Sequence, residues 1–141
     1  MDINDVKDIL RTHKLKITPI RKKIFELFVD SYIPLSAEDV MKKLKTGDSN
    51  DVTVYRTLAS FESIGILRQV DLRRGVVCYE LSSHHHHHIV CTRCGVIEDF
   101  EICVVEKVAE TIIKKSKKFK SINEHAFELF GVCHLCSKKY A

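Results

Sequence analysis

The chain has 141 residues, 45% of them hydrophobic and 30% charged, with a net charge of +4 and six cysteines. That length fits one mid-sized domain or two small ones, and the composition is that of an ordinary globular chain. No apolar run approaches the roughly 20 residues of a membrane span, and Asp2, Asp5 and Asp8 make the start unlike a secretory leader, so a cytoplasmic protein without a membrane partner is expected.

The first half reads as helices. Ile3, Val6, Ile9 and Leu10 recur at helical spacing and predict a short first helix. Thr18-Pro19 starts a second, with threonine as N-cap and proline at the first helical position, and Ile20, Ile24, Leu27 and Phe28 as its apolar face. Ser36 caps a third helix, with Asp39 where a capping box usually has Glu or Gln; Val40, Met41 and Leu44 are its buried side and Gly47 its stop. A fourth runs from about Val52 to Ile64 and ends at Gly65, burying Val54, Leu58, Phe61 and Ile64 and turning Tyr55, Arg56 and Ser60 outward. Ile66–Asp71 and Val76–Leu81 flank the basic turn Arg73-Arg74-Gly75, which is a hairpin signal. Short helices followed by a basic hairpin suit a winged helix-turn-helix; a generic helical domain is the plainer alternative.

The second half changes style at Ser82-Ser83 and the five histidines 84–88, read as a hinge. Strands are expected at Ile89–Cys91 and Val96–Phe100 around the turn Cys94-Gly95. A helix follows over Ile102–Lys115 with the stripe Val105, Val108, Ala109, Ile112 and Ile113, then further strands at Phe119–Ile122 and Ala126–Phe130. The fold class is therefore α+β: a winged-helix domain over 1–82, a histidine-rich hinge over 83–88, and a small α+β dimerisation and metal-binding domain over 89–141. So small a unit is short of core and calls for a structural metal and a partner subunit.

Four cysteines form two pairs, Cys91-x-x-Cys94 and Cys133-x-x-Cys136, while Cys78 and Cys103 stand alone. Without an export signal, paired cysteines point to metal thiolates rather than disulfides. Two such turns complete a tetrahedral zinc site, here tying the first C-terminal hairpin to the tail across the 38 intervening residues. The histidines lie inside the chain between expected strands, and in extended backbone alternate side chains face opposite ways. His84, His86 and His88 then face one side and His85 and His87 the other, so that one run feeds two sites. Glu80, Asp99, Glu106 and His125 are available to complete them. The plainer reading is a solvated linker. Imidazole and carboxylate ligands suit iron, zinc, manganese or cobalt.

Leu15-Lys16-Ile17-Thr18-Pro19, Leu35-Ser36-Ala37-Glu38-Asp39, Thr53-Val54-Tyr55-Arg56-Thr57-Leu58, the histidine run, Cys91-x-x-Cys94-Gly95 and Cys133-x-x-Cys136, in that order, resemble the ferric uptake regulator (Fur) family from about residue 12 to residue 136. The resemblance implies a homodimer whose winged helices grip a palindromic double-stranded DNA operator. It implies a structural zinc on Cys91, Cys94, Cys133 and Cys136, and a regulatory Fe2+, or another divalent metal such as Zn2+ or Mn2+, on Glu80, His86, His88 and Asp99. An additional site falls on His85, His87, Glu106 and His125. Tyr55 and Arg56 match base-reading residues, Thr53 shares their motif, Lys14 or Lys16 would approach the minor groove, and Arg73 and Arg74 would hold phosphates.

Two departures stand out. The regulatory site of the family usually takes a histidine just before the Ser-Ala-Glu motif, where this chain has Pro34, and His87 replaces an aspartate common in the family's histidine cluster. The function expected is a metal-responsive transcriptional repressor of metal homeostasis, not an enzyme, with iron favoured by Glu80. Peroxide sensors resembling this plan prefer aspartate there, and many zinc regulators cysteine. A zinc enzyme would need an open coordination position and a general base, and a metal-storage protein would not need the Tyr55-Arg56 helix and wing.

Overall fold

In the computed structural model, which describes residues 3–44, 50–83 and 85–139 (of 3–6 the backbone alone), the chain divides into two compact units, Met1–His84 and His85–Ala141. The expected stop at Gly47 and the side chain of His84 lie outside the described residues.

The first unit is built from α1 (Ile3–Thr12), α2 (Pro19–Val29), β1 (Leu35–Ser36), α3 (Ala37–Lys43), α4 (Asp51–Ser63), β2 (Leu67–Val70) and β3 (Cys78–Leu81). The capping signals work as read. The Thr18 side chain accepts from Arg21 N–H, and Ser36 and Asp39 form a reciprocal capping box. The start of α4 was hidden: Asn50 is its cap, with Oδ1 accepting from Thr53 N–H at 2.9 Å. Both α1 and α4 end in a Schellman turn. Gly65 at φ +75° places Gly65 N–H on Glu62 O and Ile66 N–H on Phe61 O; at the end of α1 the left-handed residue is Lys14, at φ +55°, with Leu15 N–H on Leu10 O at 2.9 Å.

The helices close over an apolar core of Leu10, Ile24, Phe25, Phe28, Val40, Val54, Leu58 and Phe61, in which Phe25 and Phe61 meet edge to face at 6.2 Å. The wing is an antiparallel sheet ordered β1-β3-β2, Leu67 opposite Leu81 and Val70 opposite Cys78. Its third strand, β1, was not anticipated, because two residues are too few to show a period of two. The second wing strand begins at Cys78 rather than Val76; Val76 and Val77 belong to the exposed turn.

The second unit contains β4 (His87–Cys91), β5 (Ile97–Phe100), α5 (Val105–Lys115), β6 (Glu128–Gly131) and α6 (His134–Lys139). Its sheet is ordered β5-β4-β6, with β4 antiparallel to β5 and parallel to β6. The parallel pairing needs a long crossover, and the segment carrying α5 supplies it. Helix α5 begins at Val105, not Ile102, and Val104 gives it no side-chain cap. Residues 119–122 are not a strand, since Ser116 Oγ accepts from the N–H groups of Lys118 and Phe119 and turns the chain there. The last strand is Glu128–Gly131 rather than Ala126–Phe130, and the short α6 that follows carries Cys136.

Candidate metal centres and nucleic-acid face

On α4 the 3.6-residue period decides what is left for a ligand. Val54, Thr57, Leu58 and Phe61 are buried, whereas Tyr55 and Arg56 are exposed. Lys16, Thr53 and Arg56 line one shallow groove of about 370 Å³ together with Thr18, Arg21 and Thr57. Arg21 was missed in the sequence because it sits in the first turn of a helix read only for its apolar face. Its Nη1 donates to Lys16 O at 2.8 Å, joining the loop before α2 to the helix. The wing tip carries Arg73 at φ +52°, hydrogen-bonded through its N–H to Asp71 Oδ1 at 2.8 Å, and Arg74, whose Nη1 lies 4.0 Å from Asp39 Oδ2. These cations offer what a phosphate backbone needs.

At the end of the wing Glu80 is buried and directly opposite Arg68 in the β2–β3 register. Arg68 Nε and Nη2 both reach Glu80 Oε1, at 2.7 and 2.6 Å. Arg68 therefore sets the orientation of this carboxylate, a role that only the strand register reveals.

In the second unit the parallel register brings the cysteine pairs together. Cys91 lies beside Gly131, so both turns leave the same end of adjacent strands. Gly95, at φ +74°, tightens the first turn. The four sulfurs of Cys91, Cys94, Cys133 and Cys136 lie within 4.8 Å of one another, with Cys94 and Cys133 Sγ at 3.6 Å. A tetrahedron with metal–sulfur bonds of 2.3 Å has an edge of about 3.8 Å, so the donor set and spacing fit zinc. Backbone N–H groups of Cys133 and Cys94 pull the Cys91 thiol down to about 6, while burial and the neighbouring sulfurs push Cys136 up to about 12.

The histidines separate by parity. His86 meets His88 edge to face at 4.9 Å between ring centroids, and His88 is buried in register with Asp99 on one side and Glu128 on the other. Asp99 itself is exposed. The rings of His85 and His87 meet at 5.1 Å, and His125 lies 5.1 Å from the first and 5.4 Å from the second. The fourth donor gathered with these three is Cys103, not Glu106: ligand atoms of His85, His87, Cys103 and His125 lie within 4.8 Å of one another, and Cys103 Sγ is 3.5 Å from His125 Nε2. Glu106 is exposed on the first turn of α5 and outside that group. Cys103 carried no motif in the sequence; only folding brings it to His125. Among the described residues no helix is long and apolar enough to cross a membrane.

Comparison with known proteins agrees with this arrangement. The model of the ferric uptake regulator family matches residues 12–130, which include every histidine and carboxylate named above as a candidate metal ligand and the first cysteine pair. The ferric uptake regulation protein of Bacillus subtilis is 34% identical over 144 residues, covering 97% of this chain and 95% of that protein. The peroxide operon regulator of the same organism is 31% identical, covering 99% and 98%. Among solved structures, the ferric uptake regulator from Francisella tularensis with iron is 32% identical with a TM-score of 0.71, covering 87% of this chain and 95% of that one. With its helical, winged first unit and its clusters of candidate metal ligands in the second, the chain belongs to the ferric uptake regulator family and is a metal-responsive transcriptional regulator rather than an enzyme.

Proposed function

We propose that the protein is a homodimeric, cytoplasmic repressor that binds a palindromic double-stranded operator in response to Fe2+. The observation that carries this reading is the placement of Glu80 at the end of the wing, six residues before His86 in the chain. In this reading Glu80, His86, His88 and Asp99 share one cation, which supplies positive charge and a fixed coordination geometry. Their joint ligation ties the DNA-binding unit to the second unit and sets the separation of two recognition helices in the dimer. Half-site spacing on DNA makes that separation decisive, and the arrangement with the better ligand set is the one the cation populates. Glu80 in place of aspartate or cysteine supports iron over peroxide or zinc sensing.

Cys91, Cys94, Cys133 and Cys136 hold a structural zinc. The dimer reading draws support from α5, where Val108 and Ile112 are more than half exposed and no residue is buried; a monomer rarely leaves so contiguous an apolar stripe in water. Tyr55, Arg56 and Thr53 read bases, Lys14 and Lys16 approach the minor groove, and Arg21, Arg73 and Arg74 hold phosphates. The test is an anaerobic DNA-shift titration with and without Fe2+, using the unaltered protein and His86→Ala. His86→Ala should lose the metal-induced gain in affinity while keeping its dimer and its zinc. An undiminished gain would move sensing away from this site. Pro34, buried in the loop before β1, removes one customary tie, so the coupling should sit near the lower end of the usual range of about 1–3 kcal/mol.

A further inference from the structure

We propose that His85, His87, His125 and Cys103 form a second thiolate-bearing metal site, selective for zinc, in which Cys103 takes the place that the resemblance gives to Glu106. The spacing fits the chemistry. A tetrahedral ion with metal–nitrogen bonds near 2.05 Å and a metal–sulfur bond of 2.3 Å has a nitrogen–sulfur edge of about 3.6 Å. Cys103 Sγ and His125 Nε2 stand 3.5 Å apart, and all four donor atoms lie within 4.8 Å. His87 is 4% exposed and held in β4, so one side of the site is pre-positioned by the sheet.

The ligands come from three segments: the start of β4 with the approach to it, the residues just before α5, and the irregular chain after it. Cys103 precedes α5 by two residues and His125 follows it by ten, so their common ligation closes a loop around α5 and pins both its ends to the sheet. On binding, the Cys103 thiol releases its proton to solvent and a thiolate–metal bond forms; no oxidant or reductant enters. One thiolate with three neutral imidazoles leaves a net charge of +1 on a divalent ion. A borderline-soft donor set of this kind favours zinc or cobalt, where the carboxylate alternative would equally suit iron or manganese. The consequence is a protein holding two zinc ions per chain, with iron confined to the hinge ligands.

The inference rests on the four-cysteine cluster being a separate zinc site, which metal analysis checks first. The full-length protein is prepared with one tightly held zinc per chain and titrated anaerobically with Co2+ while zinc release is followed with a chromophoric chelator. The hinge ligands Glu80, His86, His88 and Asp99 contain no sulfur, so cobalt bound there gives no thiolate-to-cobalt band. The expected result is a near-ultraviolet charge-transfer band and tetrahedral visible bands appearing without zinc release. Cys103→Ser should lose the charge-transfer band while keeping its zinc, and Glu106→Gln should keep the band. Cobalt binding without the band in the unaltered protein, or an undiminished band in Cys103→Ser, overturns the proposal. Because Cys103→Ser could disturb the fold, alkylation of Cys103 in the unaltered protein is measured by peptide mass spectrometry with and without a second equivalent of zinc. Protection supports the site, and equal rates overturn it. Neither readout involves DNA, so failure here is distinct from failure of the iron-dependent repressor reading.

Discussion

The two units of this protein reach a folded state by different routes. The first closes a shell of leucine, isoleucine, valine and phenylalanine side chains, eight of them at 1% exposure or less in Leu10, Ile24, Phe25, Val40, Val54, Leu58, Phe61 and Leu67. The second has only Val90, Cys91 and Cys136 as buried hydrophobic side chains among its described residues, and its other buried positions are His87 and His88. Its interior is thus largely made of side chains that could hold a metal, and its one long helix buries nothing within the chain. Hydrophobic burial stabilises a domain unaided when enough of it is available; where it is scarce, coordination and subunit contact take its place.

Removing the structural metal should break the comparison most severely. Apparent zinc-binding energies of about 10–16 kcal/mol in small zinc domains double as folding energy. Cys94→Ser should therefore unfold or monomerise the second unit while the first keeps its helical signal. Metal content, sedimentation and two-dimensional NMR of the same sample check this. A stable Cys94→Ser dimer that retains zinc would mean that the second unit carries a core of its own.

The complementary experiment attacks the apolar unit. Phe61 is fully buried and packs edge-on against Phe25, so Phe61→Ala should cost about 3–5 kcal/mol. Urea denaturation followed by signals from the first unit should show the loss, with zinc content unchanged. Simultaneous loss of zinc would show that the units are not energetically separate.

How far the sequence could be read follows the same division. Periodicity and caps located all four N-terminal helices, because an apolar core imposes a 3.6-residue pattern and Thr18, Ser36 and Gly65 punctuate it. The second unit was less legible, since strands of four or five residues with histidine and carboxylate in place of apolar side chains show little period. Ile102 looked helical because it continues the apolar pattern, and Phe119–Ile122 looked extended because the Ser116 turn is a local hydrogen-bond choice rather than a pattern. Residue pairs made by register or by long-range folding, Arg68 with Glu80 and Cys103 with His125, left no trace in spacing.

Base reading should follow from the exposed face of α4. Arg56→Ala should cost about 1–3 kcal/mol and relax specificity at one operator position, whereas Arg74→Ala should weaken all duplexes alike and flatten the salt dependence. Binding to cognate and scrambled duplexes across a salt series separates the two. Unchanged preference in Arg56→Ala would remove this residue from the recognition face.

A smaller effect is expected from the capping box of α3. Burial raises the pKa of Asp39, but the hydrogen bonds from the Ser36 hydroxyl and N–H, with Arg74 and Lys42 nearby, outweigh it and hold the carboxyl below its ordinary value. A carboxyl with a depressed folded-state pKa stabilises fully above its unfolded value and loses that contribution as pH falls through the folded one. The first unit should therefore lose stability on acidification below pH 4, and Asp39→Asn should be less stable at pH 7 while lacking that part of the acid response. Parallel urea titrations at pH 7 and pH 3 read both quantities; an acid response identical to that of the unaltered protein would mean the cap charge does not matter.

The smallest change should be made at Lys14, and it separates stability from DNA binding. Lys14 occupies the left-handed position of the Schellman turn closing α1, at φ +55°, where α4 has Gly65 in the same role. A non-glycine residue in that region costs about 1 kcal/mol, and glycine recovers part of it while losing about as much again through the freedom of the unfolded chain. Lys14→Gly should therefore leave stability within about 1 kcal/mol of the unaltered protein. If Lys14 contributes a cation to DNA, as its exposed place ahead of Lys16 suggests, the same substitution should weaken operator binding and lower the slope of affinity against salt by about one charge. Lys14→Asn, which keeps a residue tolerant of this backbone conformation but drops the charge, should reproduce the binding loss. Equal affinity and equal salt slope in both variants would make Lys14 a helix-terminating residue only, and would shift the minor-groove role to Lys16.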